Sequence, residues 1–77
     1  MYALITGASK GIGKMIAEQL AKKNINVLLL ARSEELLKEN VTSIKEKYEV
    51  EADYLVIDLS ADGAAKKVYE WCVEKKY

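Results

Sequence analysis

Residues 6–13, Thr6-Gly7-Ala8-Ser9-Lys10-Gly11-Ile12-Gly13, place three glycines between a short apolar run and an amphipathic segment. Without a Cβ, Gly7, Gly11 and Gly13 let the backbone turn tightly and bring its N–H groups against an anion. A helix beginning there turns its positive end toward the same anion. Such a turn is a cradle for phosphate. The rival P-loop would need a glycine, four residues and then Gly-Lys-Ser/Thr. Here five residues separate Gly7 from Gly13, and Met15 stands where a magnesium-binding hydroxyl should be. That rival is rejected, and the expected ligand is the pyrophosphate of a dinucleotide. The plainer alternative is a turn that joins strand to helix and binds nothing.

The flanking elements must hold this turn in place. Residues 2–6 form a short apolar first strand that feeds directly into it. From Ile12 onward, Ile12, Ile16 and Leu20 recur every four positions, joined by Ala17 and Ala21, with Lys14, Glu18, Lys22 and Lys23 on the other side. That pattern predicts an amphipathic helix ending near Asn24. Within residues 26–31, Val27-Leu28-Leu29-Leu30 is too short for a helix and reads as a central strand covered on both faces. Ser33 is the expected N-cap of a second helix, with Glu34 and Glu35 in its first turn and Leu37, Val41, Ile44 and Tyr48 along one face. Residues 50–58 predict a third strand, alternating at first and then apolar through Leu55, Val56 and Ile57. Ser60 is expected to cap a last helix with Ala61, Ala64, Ala65, Val68 and Cys72 along its buried stripe and Lys75 and Lys76 at its C-terminal end. The order predicts an α/β fold: a three-layer Rossmann-type βαβαβα fragment with a parallel sheet in the order 3-2-1. Residues 1–77 read as a single partial dinucleotide-binding domain, lacking the fourth and later strands of the complete fold.

A Thr6-Gly7-x-x-x-Gly11-Ile12-Gly13 turn after a first strand resembles the short-chain dehydrogenase/reductase family, and its spacing differs from the Gly-x-Gly-x-x-Gly of other dinucleotide binders. The resemblance runs along the whole chain but covers only the N-terminal part of a family member. It implies that Gly7, Gly11, Ile12 and Gly13 contact a dinucleotide, with Ser9 donating to a phosphate or ribose. About 20 residues past such a turn, NAD binders carry an acid for the ribose hydroxyls, whereas a nearby arginine accepts a 2′-phosphate. Here the second strand ends Leu30-Ala31-Arg32-Ser33, with Ala31 in the place of the acid. The Arg32 guanidinium can fork onto a phosphate, the Ser33 hydroxyl can donate to it, and Lys10 adds a second positive charge. Ordinary solvated charges are the bland alternative for Arg32 and Lys10, but their placement on two converging loops predicts NADP(H) over NAD(H). The third strand closes with Asp58-Leu59-Ser60. The resemblance implies that Asp58 accepts from the adenine amino group while the Leu59 backbone lines the adenine slot. On the residues alone, Asp58 could equally help cap the last helix.

In this family, hydride passes between nicotinamide C4 and a carbonyl or alcohol carbon, with a tyrosine as acid/base, a lysine four residues later and a serine on the substrate oxygen. Tyr2, Tyr48, Tyr54 and Tyr69 are instead followed four residues on by Thr6, Ala52, Asp58 and Val73, and Tyr77 is last. No catalytic residue is assigned in this chain. The Gly-Lys-x-x-Ala-Glu-x-Leu-Ala-Lys pattern over residues 13–22 and the Arg32-Ser33 pair look most like the branch holding hydroxysteroid dehydrogenases and long-chain ketoacyl reductases.

Two functions follow: the NADP(H)-binding N-terminal portion of such an oxidoreductase, or a non-catalytic module that keeps the fold in order to self-associate. Glu51 and Asp53 blunt the third strand, whereas Ala3-Leu4-Ile5 carries no charge. The first strand is therefore expected to pair with a second copy or to lie under the last helix. Trp71 and Tyr69 read as core or interface aromatics.

Composition narrows the partners. The 77 residues hold 12 basic and 12 acidic side chains and no histidine. That balance lacks the basic footprint of a nucleic-acid binder. Cys72 is the single cysteine, so neither an internal disulfide nor a Cys/His metal site is expected. With no charged leader and no long apolar run, the expected setting is cytoplasmic and away from membranes. A chain of this size buries only about 60% of its unfolded surface, so small losses of stability matter.

Overall fold

The computed structural model describes residues 2–7 and 11–77. Strands and helices alternate: β1 (Tyr2–Thr6), α1 (Gly11–Lys22), β2 (Asn26–Ala31), α2 (Glu34–Lys47), β3 (Ala52–Val56) and α3 (Ala64–Lys75). β2 lies between β1 and β3 and pairs with both in parallel, which is the expected sheet order.

The central place of β2 follows from its side chains. Successive residues of a strand face opposite sides, and Val27 through Leu30 are all buried. Val27 and Leu29 join Ile5, Ala17, Ala21, Leu37, Val41, Ile44 and Ala52 in one core between the sheet and helices α1 and α2. Leu28 and Leu30 point to the other face. There Tyr77, just past α3, donates its hydroxyl to Asp53, which sits opposite Leu28 in the β2–β3 register. The Tyr77 ring lies 4.6 Å from that of Tyr2 and 5.4 Å from that of Trp71, centroid to centroid. The end of α3 thus closes the second face at the N-terminal ends of the strands. No helix of the described residues is long and apolar enough to cross a membrane.

α1 ends in a left-handed residue, Asn24 (φ 64°), and the Ile25 N–H returns to the Leu20 carbonyl at 3.1 Å. This 6→1 bond satisfies a carbonyl that the helix leaves open. α3 closes the same way: Lys76 has φ 62°, and the Tyr77 N–H reaches the Cys72 carbonyl at 2.9 Å. That turn aims Tyr77 back at the sheet.

Several sequence expectations are corrected. β3 is shorter than residues 50–58, because β2 offers partners only from Ala52 to Val56, with single bonds beyond each end from the Val27 N–H to the Glu51 carbonyl and from the Ile57 N–H to the Ala31 carbonyl. α1 buries Ala17 and Ala21, whereas Ile12 is 77% exposed and Ile16 is also exposed. The two alanines bring the helix axis close to the strands, and the isoleucine stripe is turned aside. α3 begins at Ala64, after a left-handed Gly63, rather than at a Ser60 cap. Of its expected stripe, Ala64 is buried and Val68 and Cys72 are half-buried, while Ala61 and Ala65 face solvent. Tyr69 is exposed, so Trp71 alone of that pair packs inward. Asp53 is half-buried and serves as acceptor for Tyr77 as well as charging its strand. Among the described residues β1 has one neighbouring strand, Leu4 stays 48% exposed, and Tyr77, just past α3, packs on Tyr2 at the start of that strand.

Candidate functional site

The C-terminal ends of the three strands open into a cleft of about 690 Å³. β1 delivers Gly7 to it, β2 delivers Leu30, Ala31, Arg32 and Ser33, and the chain after β3 delivers Ile57, Asp58, Leu59 and Ser60. In an open parallel sheet, ligands bind in the crevice outside the carboxyl ends of the strands.

Gly7 and Gly11 hold φ values of +60° and +65°, a region that residues with a Cβ rarely enter. A Cβ placed on either would meet nothing within 4 Å. The glycines therefore serve conformation, and the space above them is open to a ligand. Gly11 begins α1, and Ile12 and Gly13 lie in its first turn. Among the expected cofactor contacts, Ser9 and Lys10 lie outside the described residues.

Ser33 occupies the N-cap position of α2, and its carbonyl accepts the first helical bond from the Leu37 N–H at 3.1 Å. Its side chain makes no capping bond, so the hydroxyl remains for the cleft it lines. Arg32 is exposed beside it. After β3, the Asp58 carboxylate accepts two bonds on Oδ1, from the Ser60 hydroxyl at 2.6 Å and the Ser60 N–H at 3.0 Å. Those donations, with the nearby Arg32 charge, outweigh desolvation and hold Asp58 below the ordinary carboxylate range. The carboxylate is thus kept ionised as an acceptor. It does not cap α3, which starts six residues later.

The structure brings together Gly7, Arg32, Ser33, Asp58 and Leu59. It also shows cleft residues to which the sequence reading assigned no part in the site, among them Leu36, Ile57 and Ser60. The signal for Ser60 was the Asp-x-Ser spacing, which favours a local side-chain turn. Leu36 was legible only as an apolar residue off the buried stripe of α2. Among the described residues, no group of acids, histidines and cysteines could hold a metal ion.

Comparison with known proteins decides the lineage. A family model described as short chain dehydrogenase matches residues 1–76. The chain belongs to the short-chain dehydrogenase family. Hydroxysteroid dehydrogenase-like protein 1 of Gallus gallus is 48% identical over 59 residues, which is 77% of this chain and 18% of that protein. The very-long-chain 3-oxoacyl-CoA reductase of Rattus norvegicus is 42% identical over 67 residues, covering 87% of this chain and 22% of its own length. These relatives support the hydroxysteroid dehydrogenase and ketoacyl reductase-like branch. Among solved structures, the L-sorbose reductase of Gluconobacter frateurii, complexed with NADPH and L-sorbose, superposes with a TM-score of 0.87 at 37% identity, over 92% of this chain and 27% of that one. This short-chain dehydrogenase sequence thus spans about a fifth of the relatives' length.

Proposed function

We propose that this chain is the NADP(H)-binding N-terminal portion of a short-chain dehydrogenase/reductase that interconverts a carbonyl and an alcohol. One observation carries the reading: a single cleft joins the left-handed Gly7 after β1, Arg32 at the tip of β2 and an ionised Asp58 after β3. The glycine turn and the start of α1 suit the pyrophosphate. Arg32 and Ser33 suit a ribose 2′-phosphate, since a guanidinium offers paired donors and no acid stands at Ala31. Asp58 suits the adenine amino group as acceptor, with Leu59 beside the ring. The NADPH complex of the sorbose reductase supports the same choice of cofactor. The cofactor supplies a hydride when bound. What these residues do is bind and orient it; none of them is given the acid–base role.

Titration of NADPH and NADH against the wild type and Arg32→Ala tests the reading. The wild type is expected to bind NADPH more tightly, and the variant to lose about tenfold or more toward NADPH with little change toward NADH, as for a charge-assisted phosphate contact. Equal affinity of the wild type for both cofactors would overturn it.

A further inference from the structure

We propose that Ser60 is a positioning residue for cofactor selectivity: it ties the Asp58 carboxylate back so that the Arg32 guanidinium stays available to a ribose 2′-phosphate. The inference rests on the NADP(H) reading above and adds the device that keeps its key cation free.

Arg32 and Asp58 line the same cleft, one just after β2 and the other just after the neighbouring β3. Opposite charges at such a site attract, and a carboxylate able to swing would form the paired bonds that a guanidinium favours. An arginine engaged in that way would have to break its pair before meeting a phosphate. Yet among the described residues no ion pair within 4.0 Å joins them. The turn after β3 supplies a restraint on the carboxylate. Ser60 places both its hydroxyl and its N–H on Asp58 Oδ1, at 2.6 and 3.0 Å, and the Ala61 N–H returns to the Asp58 carbonyl at 3.0 Å. Backbone and side chain of Asp58 are therefore held by the same short turn. The proximity of Arg32 is felt by Asp58 as a charge, not as a bond. Ser60 itself is exposed and α3 starts four residues later, so its hydroxyl is not occupied as a helix cap.

The test uses ligands that fit the adenosine half of the cleft. Adenosine 2′,5′-bisphosphate and 5′-AMP differ only in the 2′-phosphate, and their affinities for the 77-residue chain can be compared by amide chemical-shift titration. The preference of the wild type for the bisphosphate is expected to fall by about two- to fivefold in Ser60→Ala, the size of a competing exposed ion pair. Ser60→Thr, which keeps a hydroxyl, is expected to retain the preference. The double variant Asp58→Asn/Ser60→Ala is expected to regain it, because a neutral amide does not compete for Arg32. An unchanged preference in Ser60→Ala, or an equal weakening toward both ligands, would overturn the positioning role while leaving the NADP(H) reading intact. A wild type with no preference for the bisphosphate would sink that reading first, and the inference with it.

Discussion

Gly11 joins local conformation to ligand binding at one atom's scale. Its φ of +65° with open space above it means that an alanine would fit sterically yet strain the backbone. The expected cost of Gly11→Ala is about 1–2 kcal/mol of stability, readable as a shifted urea midpoint. For a small domain whose whole stability is about 5–15 kcal/mol that is a sizeable share. A midpoint equal to wild type would show that the turn tolerates a Cβ and that the glycine pattern has no conformational meaning there. The role of these glycines was legible because few residue types can adopt such angles. Ser60 and Ser33 were harder. Either hydroxyl could cap a helix or serve the cleft, and a sequence does not say which acceptor or donor will reach it first. The structure resolves the competition through Asp58, which claims the Ser60 hydroxyl, and through the N-cap geometry of Ser33, which leaves its hydroxyl uncommitted to the helix.

Strand and helix types were legible because the period of apolar residues changes cleanly from one segment to the next. The face that α1 buries was legible only in part: Ala17, Ala21 and Leu20 pack as read, whereas Ile12 and Ile16 do not. Ile12 and Ile16 continue the stripe of Leu20 as regularly as Gly13 continues that of Ala17 and Ala21, and the close approach of the helix to β1 and β2 selects the small residues. The far end of α3 carries a second lesson. Tyr77 donates to Asp53 and packs on Tyr2 and Trp71, a contact between residues far apart in sequence with no local signature. Partial burial, followed by the Asp53 bond and the neighbouring acidic charges, raises the Tyr77 phenol above its ordinary value of 10.0. Tyr2 is raised as well, chiefly by its bond to Glu51. A neutral phenol is therefore favoured in the folded state. Its contribution is fully present below about pH 10 and is lost as pH climbs toward the raised value. Thermal melts are expected to be flat on the neutral side and to fall above about pH 10, with a shallower fall in Tyr77→Phe. An alkaline slope identical in the variant would mean that the docking of the α3 end does not depend on this phenol.

At the scale of the whole molecule, the two ends of the sheet do different work. The N-terminal ends of the strands are tied by Tyr2, Tyr77, Glu51 and Asp53, while the C-terminal ends are left open around Gly7, Arg32 and Asp58. Parallel pairing makes this division possible, since every strand presents the same end to the same side. The parallel order itself followed from the alternation of strands and helices with right-handed crossovers. The proposed role of this open end is to grip a dinucleotide by its phosphates and to read the 2′-phosphate with Arg32. Its most direct test is an amide chemical-shift map of the chain titrated with NADPH. Saturable shifts are expected to concentrate on Gly7, Gly11, Gly13, Arg32, Ser33 and residues 58–60, and those at Arg32 and Ser33 to shrink when NADH replaces NADPH. Shifts confined to the Tyr2 and Tyr77 end, or no saturable shifts at the glycine turn, would contradict it.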